Sequence, residues 1–279
     1  GGIEHFLRSL YILFDDSPAR REDLVLIAGA GPFPLQWCQH RWLENVVVAQ
    51  RALELLDRIK LFVETLERRR KEPKTVSYNT VKEWIKNPLV KAKLHLFVFI
   101  ASPIEKFLTK YQVEKPMIVF LANDLKEMML VLLRQVLKRE VIEAKCTSTY
   151  KMLKHDHTKS EDQCSPAEID VGFSAAKEIK RLSEAKLISE RDKLQFKMTT
   201  REAVVTIISA LKEKSPINYP IVRHCMCFDP RRIVKYDELN HFKNVVNALV
   251  DAGRLVEGDC DSLCTQYSEM NRNMEIEQQ

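Results

Sequence analysis

The chain has 279 residues, 45% of them hydrophobic and 30% charged, which excludes a disordered protein and suffices for one large or two smaller folded domains. Its net charge is +5 and its pI about 8.7, so the composition permits nucleic-acid binding but does not require it. No apolar run approaches the roughly 18–20 residues of a membrane span, and we predict no association with a membrane.

Glycine and cysteine usage narrows the class of protein. The seven glycines are too few for the phosphate loops of α/β proteins or the hairpins of sheet proteins, which favours helices. Pro32 follows the Gly29-x-Gly31 pair and lacks a backbone N–H, which excludes a phosphate loop there. Seven cysteines, an odd number, and no recognisable signal peptide favour a reducing compartment, the nucleus or the cytoplasm, over secretion. We predict no cofactor and no small-molecule substrate.

Five prolines that follow a short polar residue mark predicted helix starts. The polar side chain can accept a hydrogen bond from an N–H of the first turn, and proline is tolerated there because its missing N–H has no helical partner. The five pairs are Ser17-Pro18, Asn87-Pro88, Ser165-Pro166, Ser215-Pro216 and Asp229-Pro230. Ser165 and Glu168 also have the spacing of a capping box.

Hydrophobic periodicity predicts helices along most of the chain. The clearest helix covers residues 43–70, where apolar residues recur every three or four positions between Val46 and Leu66. A second strong stripe covers 121–140, and weaker ones cover 3–14, 89–111, 169–182, 189–211 and 239–252. Because convincing period-2 alternation is missing from the sequence, we predict an all-α, multi-helix bundle of about ten helices.

Composition also predicts how the chain is divided. Residues 146–165 are polar and aperiodic, which predicts an exposed loop and the boundary between two regions. We therefore predict an N-terminal helical region over residues 1–145 and a C-terminal helical region over 166–265. The polar tail, residues 266–279, is expected to fray.

The cysteines, histidines and aspartates form no recognisable metal or catalytic motif. The best candidate group is His224, Cys225 and Cys227, but no C-x-x-C pair is matched by a second pair at zinc-finger distance. We predict that the cysteines are small buried hydrophobes and that the chain holds no metal. Adjacent aspartates such as Asp15 and Asp16 point apart and rarely share an ion, so no nuclease site is predicted.

A run of four basic residues, Arg68, Arg69, Arg70 and Lys71, closes the predicted helix 43–70. Two interpretations are open. The charges complement the negative end of the helix and are otherwise only solvated, or they contact phosphate groups of a nucleic acid, in a way that would depend on salt.

One segment resembles a known family. Residues 33–59 read FPLQWCQHRWLENVVVAQRALELLDRI, and Arg41-Trp42 leading into a helix is similar to the T-R-W-N-S motif of hAT-superfamily transposases. His40 stands where that motif has threonine, and Leu43-Glu44-Asn45 replaces its Asn-Ser. Three other stretches look like helical blocks of transposase-derived proteins: residues 6–23, 120–142 and 214–233.

The resemblance implies a position within a larger architecture. In hAT transposases a large helical insertion interrupts an RNase H-like fold, and this chain corresponds to that insertion and its flanks. The family's two catalytic aspartates would precede the Arg-Trp motif and its glutamate would follow the helical region, so we expect no transposition activity and no enzyme. In the family, the tryptophan stacks near distorted DNA, and the resemblance gives that role to Trp42 if its ring is exposed. The alternative is that Trp42 is part of the buried core.

These observations together predict a non-catalytic, transposase-derived helical domain associated with DNA. The predicted contact residues are Arg41, Trp42, Arg68, Arg69, Arg70 and Lys71. The alternative is a helical scaffold for self-association or for another helical protein, in which the basic residues only maintain solubility.

Overall fold

A computed structural model of the protein describes residues 2–15, 17–39, 42–233 and 238–277, with only the backbone described for residues 42–43 and 274–277. Over these ranges the prediction of an all-α fold is confirmed, because they contain α-helices and short 3₁₀ turns but no β-strand. The α-helices are α1 (Gly2–Asp15), α2 (Pro18–Ala28), α3 (Trp42–Arg69), α4 (Val76–Lys86), α5 (Val90–Lys110), α6 (Ile118–Leu133), α7 (Arg139–Lys145), α8 (Thr149–Lys154), α9 (Phe173–Glu184), α10 (Glu190–Lys214), α11 (Pro220–His224), α12 (Pro230–Ile233), α13 (Leu239–Asp251) and α14 (Cys260–Glu277). The 3₁₀ turns are Ser160–Asp162, Pro166–Glu168, Pro216–Asn218, Cys225–Phe228 and Glu257–Asp259.

Four of the five polar-proline pairs open helical segments as predicted, with Pro18, Pro166, Pro216 and Pro230 as first residues, whereas after Asn87-Pro88 the helix begins at Val90. Ser17 accepts a hydrogen bond from the N–H of Arg20 at 3.4 Å, and Pro18 is the first residue of α2. Ser165 and Glu168 form the predicted capping box, with the Ser165 N–H donating to Glu168 Oε2 at 3.0 Å. That box opens only a 3₁₀ turn, because Ile169 at its end leaves helical geometry.

The chain folds as two compact units. Unit 1 combines Gly1–Thr109 with Cys164–Glu202, and unit 2 combines Lys110–Gln163 with Ala203–Gln279. Neither unit is one continuous segment, so the predicted division into residues 1–145 and 166–265 differs from the structure. The pattern of polar and apolar residues could not show this, because it reports burial and not which helices pack together.

Unit 1 contains the larger core. Helix α1 packs chiefly against α4, and α2 against α3. Phe6 stacks on Trp84 with ring centroids 5.3 Å apart, and Phe14 packs against Phe62 at 5.3 Å. A second cluster joins α5 to the later segment of unit 1, where Ala92 is buried among Ile179 and its neighbours. These contacts place residues of α5 and α9 in one apolar cluster.

The structure corrects three predictions that fall in unit 2. The stripe over residues 121–140 is not one helix: α6 ends at Leu133, and Val136 and Leu137 are buried in a turn before α7 begins. Apolar side chains can continue a stripe through a turn that folds back on the core, so periodicity alone does not reveal the break.

None of the described helices contains a stretch long and apolar enough to cross a bilayer.

Residues 146–165 are not an exposed loop, which is the second correction. They contain α8 and a 3₁₀ turn, and Met152, His157 and Asp162 are buried. Their polar groups are used inside unit 2: the Lys138 N–H donates to the Asp162 carbonyl at 3.1 Å, and Lys145 Nζ lies 2.7 Å from Asp162 Oδ1. A polar, aperiodic segment is predicted to be a loop because its sequence does not show that its polar groups find hydrogen-bond partners inside the fold.

The tail is the third correction. Helix α14 continues to Glu277, and Tyr267 within it is buried. The Tyr267 ring stacks on Phe242 with centroids 4.2 Å apart, and its hydroxyl donates to the carbonyl of Cys227 at 2.7 Å. This anchored tyrosine is the reason that the tail is helical instead of frayed at this position.

Candidate nucleic-acid interface

The four predicted basic residues lie on a capped turn at the end of α3. The Lys71 N–H donates to the carbonyl of Leu66 at 3.0 Å, and the Arg70 N–H donates to that of Glu67 at 3.1 Å. This pair of bonds is a Schellman motif, and Arg70 occupies its left-handed position with φ 55°. The motif turns the chain sharply, so the basic side chains surround a turn instead of following one face of the helix. We call residues 68–71 the basic turn.

The side chains of the basic turn are exposed and uncompensated. Arg68, Arg69, Arg70 and Lys71 are all exposed. None of them forms an ion pair with a carboxylate in the described part of the chain. Lys74, three residues further on, is exposed too.

The acidic residues that flank the basic turn are neutralised by lysines of α4. Glu67 Oε1 lies 2.8 Å from Lys82 Nζ and 2.6 Å from Lys86 Nζ, and Glu72 also pairs with Lys82. The hydrogen bonds from Lys82 and Lys86 lower the pKa of Glu67, so it remains a carboxylate and is held by these lysines. The two carboxylates closest in sequence are therefore held by other cations, and the positive charge of the turn faces solvent.

The structure does not bring the two parts of the predicted site together. Trp42 is the first residue of α3, whereas the basic turn comprises the last two residues of α3 and the two that follow, so at 1.5 Å per residue they are about 40 Å apart along the helix. Arg41 and the side chain of Trp42 lie outside the described residues. A nucleic acid that contacts both would have to follow the whole length of α3.

Sequence reasoning missed a cleft between α5 and α9 in unit 1. The cleft has a volume of about 670 Å³, and we call it the α5–α9 cleft. It is lined by Lys91 and His95 of α5 and by Phe173, Lys177, Lys180 and Arg181 of α9, among others. The sequence does contain one sign of the cleft: Phe173 is a large apolar residue that does not lie on the buried face of α9.

The charge of the α5–α9 cleft is net positive. Glu178 is buried and accepts two hydrogen bonds from Arg181, from Nε at 3.0 Å and from Nη2 at 2.6 Å. This hydrogen bonding lowers the pKa of Glu178. Glu184 lies 3.8 Å from Lys180. Lys91 and Lys177 form no ion pair with a described carboxylate. Burial lowers the pKa of His95, which is therefore neutral at pH 7.

A second cleft adjoins the α5–α9 cleft and extends toward Glu67 and Lys86. It has a volume of about 700 Å³ and shares Lys91, Glu178 and Arg181 with the first cleft. At its other side it is lined by Glu67 and Lys86, the ion pair that flanks the basic turn. We call it the joining cleft. The two clefts therefore adjoin on unit 1, and the joining cleft is also lined by Asp57, Lys60 and Glu64.

The cysteine-histidine group of unit 2 has a different arrangement from the one considered in the sequence. Cys225 and Cys227 are buried, and burial raises the pKa of both thiols, for Cys227 to about 12. His224 faces His241 instead, with the two Nδ1 atoms 2.9 Å apart. Among the described residues, no three histidine, cysteine or acidic side chains converge as metal ligands would.

A scan of protein-family models found no match to this chain, and neither did searches among curated proteins and among solved structures.

Proposed function

We propose that this protein is a non-catalytic helical domain that associates with nucleic acid, and that the basic turn contacts DNA phosphates. The observation that carries the proposal is the combination of four exposed basic side chains with flanking carboxylates that are already paired with Lys82 and Lys86. A solvated patch with no partner would not need those carboxylates to be held away from the arginines.

The shape of the turn suits a phosphate backbone. Arginine presents planar donors that match phosphate oxygens, and a tight turn lets neighbouring arginines reach successive phosphates. The Schellman hydrogen bonds restrain the backbone, so fewer conformations are lost when DNA binds. The resemblance of residues 33–59 to hAT transposases, which act on DNA, adds a second and independent support.

The test is fluorescence anisotropy of a labelled DNA duplex titrated with the protein at several salt concentrations. Each neutralised phosphate contributes about −0.9 to the slope of log K against log salt, so four contacts predict roughly 100-fold weaker binding between about 50 and 200 mM salt. In the variant Arg68→Ala/Arg69→Ala/Arg70→Gly the slope should become shallower by about 2.7. Glycine is used at position 70 because it keeps the left-handed backbone.

A matched control removes the same charge elsewhere. Lys151, Lys243 and Arg254 are exposed residues of unit 2, and their replacement by alanine also lowers the net charge by three. If both triple variants changed the salt slope equally, binding would depend on overall charge and the basic turn would not be the interface. Absence of binding at low salt would contradict the proposal and leave the helical scaffold, which predicts a salt-tolerant oligomer.

A further inference from the structure

We propose that the α5–α9 cleft binds single-stranded nucleic acid, with a base stacked on Phe173 and the adjoining phosphates against Lys91 and Lys177. This goes beyond the basic turn, because it adds a second binding site and specifies the form of nucleic acid, and it rests on the proposed function only for the class of ligand.

The first observation is the exposure of Phe173, which is 83% accessible. An aromatic ring with an open face is what a base needs in order to stack, and such stacking tolerates any base sequence. The rest of the start of α9 is well anchored, since Val171 and Ala175 on either side are buried. Phe173 is therefore presented by a fixed element and not by a loose loop.

Gly172 fixes the backbone immediately before Phe173. Its φ is 79°, a left-handed conformation that favours glycine, and a Cβ there would lie 2.6 Å from Cγ of Phe99. The Gly172 N–H also donates to Asp170 Oδ1 at 2.8 Å. The backbone is thus held tightly against α5 at the residue that immediately precedes the exposed Phe173.

The second observation is charge complementarity. The cleft contains four cationic side chains, and its two carboxylates each have a partner, Arg181 for Glu178 and Lys180 for Glu184. Lys91 on α5 and Lys177 on α9 form no ion pair with a described carboxylate, and one lies on each helix that lines the cleft. A volume of about 670 Å³ falls within the roughly 300–1,000 Å³ of sites for small organic ligands, so a nucleotide unit fits.

The third observation is that the α5–α9 cleft opens into the joining cleft, with which it shares Lys91 and Arg181. The joining cleft leaves room for the strand to continue beyond the stacked base, whereas a free mononucleotide would occupy the α5–α9 cleft alone. Because the joining cleft is also lined by Asp57 and Glu64, the phosphate contacts are assigned to Lys91 and Lys177. A flexible single strand can bend its bases toward Phe173, while a duplex keeps its bases stacked inside.

The experiment measures binding of the full chain to a fluorescein-labelled oligothymidylate of about 16 nucleotides and to a duplex of equal length. We expect Phe173→Ala to weaken single-strand binding by about 5- to 100-fold, the loss typical of one stacked base, and to change duplex binding by less than about twofold. Phe173→Trp should restore single-strand affinity, and its fluorescence should be quenched on binding.

Leu194→Ala is the matched control, since Leu194 is also an exposed apolar residue, 51% accessible, but does not line either cleft. The inference is overturned if oligothymidylate does not bind, or if Phe173→Ala behaves like Leu194→Ala. It is also overturned if an acidic peptide of glutamate and phenylalanine displaces the oligonucleotide and itself needs Phe173. If instead the proposed role of the basic turn is wrong, the variant Arg68→Ala/Arg69→Ala/Arg70→Gly should bind the duplex as tightly as the original chain does, which is a separate result.

Discussion

His157 is a buried side chain with two hydrogen-bond partners, and its burial changes its protonation. Its Nε2 lies 3.0 Å from Ser209 Oγ and 3.3 Å from the carbonyl of Val205. Burial lowers the pKa of the imidazole, and the ammonium of Lys212 lowers it further. His157 is therefore neutral in the folded protein at pH 7, although its sequence context is entirely polar.

This burial predicts a loss of stability in mild acid. Below the ordinary histidine pKa of about 6.5 the unfolded chain takes up a proton that the folded state resists. The free energy of unfolding therefore falls as the pH drops from about 6.5 toward the lowered pKa, by at most about 1.4 kcal/mol per pH unit for this group. His157→Gln removes the titrating group while keeping a side chain that can donate to Val205 or Ser209.

Urea denaturation between about pH 7.5 and 5.5 measures this effect. The variant should lose less stability over that range than the original chain. Part of the pH dependence should remain, because burial also lowers the pKa of His95, His155 and His224. Identical pH dependence in the two proteins would mean that His157 is protonated as easily when folded as when unfolded.

At the scale of elements, three helices end with the same Schellman hydrogen bonds but differ in the residue at the left-handed position. That residue is Arg70 after α3, Lys186 after α9 and Gly253 after α13, with φ of 55°, 56° and 65°. A side chain with a Cβ is strained there by about 1 kcal/mol, whereas glycine is not. At the ends of α3 and α9, Arg70 and Lys186 therefore occupy a position where glycine would make the protein more stable.

Substitutions at these three positions should change the free energy of unfolding in opposite directions. Arg70→Gly and Lys186→Gly should each raise the free energy of unfolding by about 0.5–1 kcal/mol, and Gly253→Ala should lower it by about 1 kcal/mol. Chemical denaturation measures all three. If Arg70→Gly increases stability while weakening DNA binding, the arginine is kept for contact with phosphate; if it leaves both unchanged, neither the strain nor the contact is present.

Local signals in the sequence predicted most elements, and the failures share one physical cause. The start of α2 after Ser17 and the end of α13 at Gly253 depend on neighbouring residues only, so the chain itself specifies them. The turn after Leu133 and the folded segment around Met152 depend on partners distant in sequence. The same distinction applies to the site: the basic turn is contiguous and was predicted, whereas the α5–α9 cleft combines helices about 80 residues apart.

At the scale of the whole molecule, the interleaved order of the two units has consequences for folding. Unit 1 is completed only when Cys164–Glu202 joins Gly1–Thr109. That later segment contributes buried apolar side chains to the cluster around Ala92 of α5, namely Ile169, Val171, Ala175, Ile179, Leu182, Ile188 and Phe196. Burying each of the six larger ones is worth about 1.5–3 kcal/mol, so together they contribute as much as the roughly 5–15 kcal/mol by which a domain is stable.

A fragment comparison tests this interdependence. We expect residues 1–145 and residues 166–279, expressed separately, each to lack a cooperative unfolding transition and to bind a dye for exposed apolar surface, because each half carries only part of both units. Mixing the two fragments should restore helicity and cooperativity in part. A cooperative transition in residues 1–145 alone would show that α1–α5 form a sufficient core without α9, and the α5–α9 cleft would then be a surface added to a finished domain instead of part of its core.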